Sequence, residues 1–421
     1  MPHILAQAVE MATTALAVAG MGYFLAALVA ARVFLVQRQK PVAAFSPGVS
    51  ILKSLKGLDP GMLEAFRSHC RQSYAGEYEL LFGVSSREDP AVAAVERLQN
   101  EFPARAIRLV ECPERLGANG KVSVLVQLAA QARHDFLLIN DSDITVGPRY
   151  LERVMACFAA ADDSPGGESE HAAVGTAKAV RVQRRFSRKE AGLVTALYRG
   201  KAHGRVWRGG MPSRLEALGI ATDFQAGVLL SKLLEGGLHY GLGSTLAVRR
   251  EALEKSGGLL PLVDHLADDY ELGARVARAG YRVELSAEVV ETSVPEYDWR
   301  GFFDHQLRWL RTVRDARPGG YVGLVFTHGL CWAALNLVAS GLSPLSLWLL
   351  GLSFFLRLAQ AMTVGAAVLG DHDVLPNLWL LPLRDAIAMG LWVAGFAGDT
   401  IVWRGERFVL KRGKLERVQR S

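Results

Sequence analysis

The stretch Phe136-Leu137-Leu138-Ile139-Asn140-Asp141-Ser142-Asp143 decides how the chain is read. A short apolar run stopped by Asn, Asp and Ser suits a strand buried on both faces. Working outward, Val49-Ser50-Ile51-Leu52, Glu79-Leu80-Leu81-Phe82-Gly83-Val84 and Ile107-Arg108-Leu109-Val110 repeat the same kind of run. Helix-like stretches separate them at 89–99, which opens Asp89-Pro90, and at 121–132. An N-cap-type Asp followed by Pro is a helix start. Alternating strands and helices predict an α/β domain with an open, mostly parallel sheet and helices on both faces. In such sheets ligands sit at the carboxyl ends of the strands. Asp162-Asp163-Ser164-Pro165-Gly166-Gly167 reads as a solvent loop.

Asp141 and Asp143 follow a buried strand, one residue apart. Two such carboxylates can hold Mg²⁺ or Mn²⁺ and leave coordination sites for substrate phosphates. The same residues also suit a turn, where Asp and Ser bond the backbone. Gly117-Ala118-Asn119-Gly120-Lys121 precedes a helix, so its backbone can approach a phosphate that Lys121 neutralises. It is equally an ordinary helix entry, and it lacks the second half of a Walker loop. Asp268-Asp269-Tyr270 opens another helix-like run. Carboxylates there gain from the helix dipole, and one of them could serve as a general base. His305-Gln306-Leu307-Arg308-Trp309 lies in an amphipathic segment over 299–313. That segment reads either as an interfacial helix or as a site where Arg308 meets a leaving diphosphate and Trp309 lies beside the substrate.

The two ends are apolar. Half of the 421 residues are hydrophobic, and the mean hydropathy is +0.16. No charge falls between Glu10 and Arg32, a run long enough to span a bilayer as a helix. A cleaved signal peptide is the competing reading; the missing basic n-region and the following Gln37-Arg38-Gln39-Lys40 favour an anchor. No Asp, Glu, Lys or Arg occurs between Arg317 and Arg357, with a break at Ser340-Gly341-Leu342-Ser343-Pro344. A third apolar run over 375–403 is interrupted by Arg384-Asp385 and Asp399. Three full C-terminal spans would put the basic tail outside; two, or two plus a re-entrant piece, put it inside, which is the expected count. The net charge of +6 draws on Arg404, Arg407, Lys411, Arg412, Lys414, Arg417 and Arg420. Lys and Arg collected directly after an apolar stretch point to a cytoplasmic membrane flank rather than to nucleic-acid binding. Cys70, Cys112, Cys157 and Cys331 are far apart, without zinc spacing or a disulfide framework.

Together these residues resemble the ceramide glucosyltransferase family and the related hopanoid-associated bacterial glycosyltransferases, which carry a D, D, D, (Q/R)xxRW pattern. The resemblance covers nearly the whole chain. It rests on Gly117–Lys121, on Asp141 with Asp143, and on Gly243-Ser244 followed by Arg249-Arg250-Glu251-Ala252-Leu253 and Gly257-Gly258. Ala267-Asp268-Asp269-Tyr270, Arg308-Trp309 and Trp403-Arg404-Gly405 with Arg407-Phe408 complete it. It implies a GT-A (Rossmann-like) domain and inverting transfer of glucose or N-acetylglucosamine from a UDP-sugar to a lipid hydroxyl, of ceramide or a hopanoid polyol. Asp269, Arg308 and Trp309 would be catalytic. Ser86, Asn119, Lys121 and Asp141 would bind the donor, and Asp141 and Asp143 a divalent cation. Two departures stand out. Ser86 occupies the place of the pattern's first Asp, the uracil contact, with Glu88 and Asp89 as possible substitutes. His305 stands where the pattern has Gln or Arg. The sequence around residues 207–226 is extra relative to the ceramide enzymes and would shape the acceptor cleft.

The expected division is an N-terminal anchor over 1–40, a cytosolic transferase domain over 47–300 and an interfacial segment over 301–317. Membrane segments over 318–403 and a basic cytosolic tail over 404–421 follow. The expected location is the inner cell membrane, multi-pass. A processive polysaccharide synthase or a non-catalytic membrane scaffold are the rival readings.

Overall fold

The expected strands all form, in a computed structural model that describes residues 2–39, 41, 43–59, 61–159, 189–202, 210–403 and 406–417. The loop expected at 162–167 lies outside the described residues. The chain divides into two compact units, one built on Gln39–Tyr198 with Ser231–Ser293, the other on Met1–Arg38, Arg199–Leu230 and Val294–Ser421. The stretch 47–300, expected as one domain, therefore lends Arg199–Leu230 and residues 294–300 to the apolar unit.

In the sheet unit, β1 (Val49–Ser54) lies between β2 (Tyr78–Val84) and β4 (Phe136–Ile139), parallel to both, and β3 (Ala106–Glu111) extends the sheet beyond β2. Ile51 stands opposite Leu80 on one side and Leu138 on the other. Alternate residues feed two cores. Ile51, Leu80, Phe82 and Leu138 pack with Phe66 of α2 (Met62–Cys70) and Val95 of α3 (Ala91–Glu101). The Phe66 and Phe82 rings are 4.6 Å apart. On the other face α4 (Gly120–Gln131) presses on Gly83, where a Cβ would stand 2.4 Å from Val124. α5 (Tyr150–Ala156) follows β4.

The sheet is less parallel than expected. Its full order is β3-β2-β1-β4-β6-β5-β7, with β5 (Ala191–Ala202), β6 (Leu246–Arg249) and β7 (Arg282–Val294). β6 runs antiparallel to both β4 and β5. This reversal matters for the site. Leu246 pairs with Ile139, so the residues leading into β6 meet those leaving β4.

In the apolar unit, α1 (Pro2–Arg38) is 37 residues long, about 55 Å as a straight helix. A Cβ on Gly20 would lie 2.2 Å from Gly329 Cα, so the two backbones touch there. Asn336 Nδ2 donates to Thr14 Oγ1 at 2.7 Å and to Thr13 Oγ1 at 3.1 Å. Small residues and buried amide bonds are how helices associate in lipid. Among the described residues four helices are long and apolar enough to cross a membrane: Ile4–Arg38, Met211–Glu235, Pro318–Ala339 and Pro344–Val368. They fit a membrane protein. Two of them follow the sheet unit in sequence. The third apolar run does not form such a helix. It gives a 3-10 segment His372–Leu380, a 14-residue helix Leu381–Ala394 and the strand β8 (Thr400–Trp403). Fourteen helical residues reach about 21 Å, short of a bilayer core. β8 pairs with β9 (Glu406–Lys411), and β9 with β10 (Lys414–Arg417), so described parts of the basic tail are an antiparallel sheet. Met211–Glu235 was not foreseen as a long helix; it includes a π turn at Ile220–Phe224.

Candidate active site

The carboxyl ends of β1 and β4 open on the same edge of the sheet, and Asn140-Asp141-Ser142-Asp143 leaves β4 there. Asn140 anchors the turn from below. Its Nδ2 donates to Ser244 O at 2.7 Å and to Tyr150 Oη at 3.0 Å, and its Oδ1 meets His69 Nε2 at 3.2 Å. Burial and then the Lys53 charge push the His69 imidazolium well below its ordinary range, so the ring stays neutral. Ser142 Oγ donates to Asp59 Oδ2 at 2.7 Å.

Asp141 is half-exposed and Lys121 Nζ lies 2.7 Å from its Oδ1 and 3.4 Å from Asp268 Oδ2. Burial pulls the Lys121 ammonium down, but Asp141 and Asp268 outweigh it and leave the group firmly charged. Lys121 reaches this place because Asn119 caps its helix, accepting from Val122 N at 3.2 Å. The Asn119 amide also donates to His265 O at 2.8 Å, tying the loop to the start of the helix Asp268–Arg278. Gly117 is required there, since a Cβ would come within 2.6 Å of Val263 O.

Asp269 is the most enclosed acid of the group. Its Oδ2 accepts from Gly243 N at 2.7 Å and its Oδ1 from Tyr270 N at 2.8 Å. Desolvation, with the Asp268 charge next, raises its carboxyl to about 6, against the pull of Lys121. Gly243 leads into β6 between the two acids. A Cβ on it would stand 3.1 Å from Asp269 Oδ2 and 3.4 Å from Asp141 Oδ2. Asp269 and Asp141 thus flank Gly243, with Lys121 beside Asp141 and Asp268.

Asp143 faces another way. Its Oδ2 accepts from Thr292 Oγ1 at 2.6 Å and from Ser293 N at 2.9 Å, both on β7. Burial and the neighbouring Asp141 charge raise its carboxyl above the ordinary range. Among the described residues no three His, Cys, Asp or Glu side chains gather as a ready metal cage. The donor set still fits Mg²⁺ or Mn²⁺ held by Asp141 together with substrate phosphate oxygens, because such ions take few protein ligands.

Ser86 lies just past β2, exposed, its Oγ accepting from Glu88 N at 3.1 Å. Asp89, considered as a substitute for the absent acid, is occupied. It accepts from Gly57 N at 3.0 Å and from Ala91 N at 2.9 Å, and so pins the loop after β1 to the start of α3.

Lys53 is a site residue that the sequence reading missed. It is 1% exposed, and its Nζ donates to Asp141 O at 3.0 Å. Burial lowers its ammonium to about 7, with Asp143 and Asp141 opposing. A lysine inside an apolar strand was the available signal, because lysine is almost never fully buried without a partner.

Arg308 and Trp309 belong to the other unit, on the helix Trp299–Ala316. His305 Nδ1 lies 2.9 Å from Oε2 of buried Glu216, and Gln306 Nε2 donates to the same oxygen at 3.3 Å. The His305 ring lies 4.9 Å from Trp309 and 5.4 Å from Tyr297. His305 is therefore held by a carboxylate and two aromatic rings.

Comparison with known proteins fits this arrangement. Residues 12–164 and 173–416 match glycosyl transferase family 21. Ceramide glucosyltransferase 3 of Caenorhabditis elegans is 25% identical over 383 residues, 87% of this chain and 73% of that protein. A ceramide glucosyltransferase of Komagataella phaffii is 31% identical over 117 residues, 27% of this chain and 23% of that one. Among solved structures, the mannosyltransferase from Pyrobaculum calidifontis in complex with GDP-mannose and Mn²⁺ aligns with a TM-score of 0.49 at 21% identity. That alignment covers 92% of this chain and 99% of the other. Matched along nearly its whole length, the chain belongs to glycosyl transferase family 21, the family of the ceramide glucosyltransferases, and is a hexosyltransferase that acts on lipid.

Proposed function

We propose that this protein transfers glucose or N-acetylglucosamine, with inversion, from a UDP-sugar to a hydroxyl of a membrane lipid, either ceramide or a hopanoid polyol such as bacteriohopanetetrol. The observation that carries the reading is Asp269: a desolvated carboxylate with its carboxyl raised to about 6, set across Gly243 from Asp141, which pairs with charged Lys121. A base of that kind is suited to take a proton from an alcohol near neutral pH.

The acceptor oxygen gives its proton to Asp269 and bonds to the anomeric carbon. The bond from that carbon to the diphosphate breaks, and its electron pair leaves with UDP. One displacement needs one base and no enzymic nucleophile, hence inversion. Lys121 moves its charge from Asp141 to the departing diphosphate, and Asn119 keeps the loop that carries Lys121 in place. Mg²⁺ or Mn²⁺, bound by Asp141 with Asp143 behind it, would add positive charge at the same diphosphate. Arg308 would serve the diphosphate from its own helix, and Trp309 would flank the sugar or acceptor. Ser86 would meet the uracil without the charge of the family's acid. The sheet unit would face the cytosol, with the apolar unit in the inner cell membrane.

The test is a membrane assay with UDP-glucose and UDP-N-acetylglucosamine, each offered ceramide and a hopanoid polyol, with products identified by mass. One glycosylated lipid, lost in Asp269→Asn while UDP binding persists, is the expected result. Long polymer, or no transfer by folded protein that binds no UDP-sugar, refutes the reading.

A further inference from the structure

Lys53 and Arg357 are the two most deeply buried cations among the described residues, 1% and 2% exposed. Burying a charge is costly unless it is paired and hydrogen-bonded. Arg357 meets that condition. It donates to Asp385 Oδ2 at 2.9 Å and Oδ1 at 2.8 Å, to Gln360 Oε1 at 2.6 Å, and to Asp223. Lys53, in the sheet unit, does not. An ammonium carries three donors, and among the described residues this one has a single hydrogen-bond acceptor, the Asp141 carbonyl oxygen at 3.0 Å. The transfer reaction gives it no task.

Its place follows from the sheet. Lys53 pairs in register with Phe82 of β2 and shares a face with Ile51, which packs with Phe66 of α2. The stem starts in that core, and the head ends at the turn over 140–143. The other three residues of the turn are tied by their side chains: Asn140 to Ser244 and Tyr150, Ser142 to Asp59, and Asp143 to Thr292 and Ser293. Asp141 is tied by its main chain instead. Its carbonyl accepts from Lys53 Nζ and, at 3.4 Å, from Ile144 N. Its carboxylate pairs with Lys121, which the transfer reaction draws away to the diphosphate. From then on the bearing of that carboxylate depends on the Cα–Cβ direction of Asp141. Asn140 sets that direction on one side, and the carbonyl held by Lys53 sets it on the other. Asp141 and Asp143 are also like charges one residue apart, and the Lys53 charge attracts both.

We propose that Lys53 is a positioning residue: it fixes the carbonyl of Asp141 and so aims the Asp141 carboxylate at a divalent cation bound with the donor diphosphate. The proposal rests on the sugar-nucleotide reading above and adds what orients the metal ligand. Groups that orient a metal ligand are worth about 10–100-fold in metal affinity. What Lys53 supplies acts on a cation in two opposite directions. Loss of its positive charge would tighten the cation, whereas loss of the aim of Asp141 would weaken it. The positioning role requires the second effect to dominate.

Lys53→Met tests it in the full-length enzyme in detergent. Met keeps an unbranched stem and removes the N–H groups with the charge. Lys53→Gln, uncharged and one bond shorter, is the second variant in case the first does not fold. Mn²⁺ binding in the presence of UDP is read by electron paramagnetic resonance, and lipid turnover is measured on the same samples. The expected result is a Mn²⁺ Kd raised about tenfold or more in either variant, with unchanged circular dichroism and acceptor KM. Turnover should recover as Mn²⁺ is raised, which a merely structural defect would not do. Mn²⁺ bound as in the wild type or more tightly by the folded variants, with lipid turnover in the wild type, overturns the positioning role and leaves lipid glycosylation standing. Mn²⁺ bound about tenfold more weakly by the variants, with no lipid turnover in the wild type, overturns the proposed function and leaves the positioning role standing.

Discussion

Replacing Asp269 with Asn should destroy turnover and at the same time stabilise the protein at neutral pH. The carboxyl is raised from an ordinary 3.8 to about 6. A carboxyl raised on folding favours its protonated form in the native state. The penalty for ionising it is absent below about 3.8, grows between there and about 6, and is complete above. At pH 7.5 that penalty is on the order of 3 kcal/mol. Asn removes it but cannot accept from both Gly243 N and Tyr270 N, which returns about 1–2 kcal/mol. The net expectation at pH 7.5 is a gain of about 1–2 kcal/mol, which turns into a loss at pH 4. Denaturant unfolding in detergent at both pH values reads it. The rate side is independent: kcat/KM for the wild type should climb with pH through a midpoint near 6, with about a tenth of its full value at pH 5. Lys121→Ala should move that midpoint up and Asp268→Asn should move it down, because Lys121 lowers and Asp268 raises the carboxyl. A wild-type midpoint near 4, a destabilised Asn variant at pH 7.5, or retained turnover in it would each refute the reasoning.

Gly243→Ala places a methyl 3.1 Å from Asp269 Oδ2 and 3.4 Å from Asp141 Oδ2, and should cut kcat about a hundredfold with unchanged circular dichroism; a fully active variant would contradict the site. Chelation by EDTA should lower activity, with recovery on Mn²⁺ in the wild type and none in Asp141→Ala, read by titrating the metal back. Glu216→Ala frees His305 and Gln306 from their shared carboxylate; kcat should fall at least about tenfold with UDP binding retained, as calorimetry would show. Gly20→Leu forces α1 away from Gly329 and should lower the melting temperature in detergent by several degrees, whereas Gly22→Leu, in open space, should not.

The parallel half of the fold was legible because each of its strands is a short, largely apolar run. β5 and β7 were not, since Gly192, Thr195, Glu288 and Thr292 break the run, and partners far along the chain accommodate them. The long helix Met211–Glu235 hid for a related reason. Glu216 and Asp223 look like surface charges until His305, Gln306 and Arg357 are seen beside them. The end of the apolar tail misled in the opposite direction: Thr400-Ile401-Val402-Trp403 is as apolar as a membrane run, but its β-branched residues suit a strand. At the site, Asp141, Lys121 and Asp269 could be named from their local company. Gly243 could be quoted but given no task, because its closeness to both acids depends on the antiparallel β4–β6 register. That Lys121 holds both Asp141 and Asp268 likewise depends on three separate segments of chain.

The buried charges around Arg357 also bear on how the protein is made. Asp223 is synthesised first, and 134 residues separate it from Arg357. Until then a nascent chain holds a carboxylate whose native counterion does not yet exist. Arg357 neutralises it, and Arg384 and Asp385 arrive as an adjacent pair that adds no net charge. A pause before Arg357 has cleared the ribosome leaves Asp223 without that partner, whereas a pause after it has cleared lets the Asp223–Arg357 pair become electrically complete.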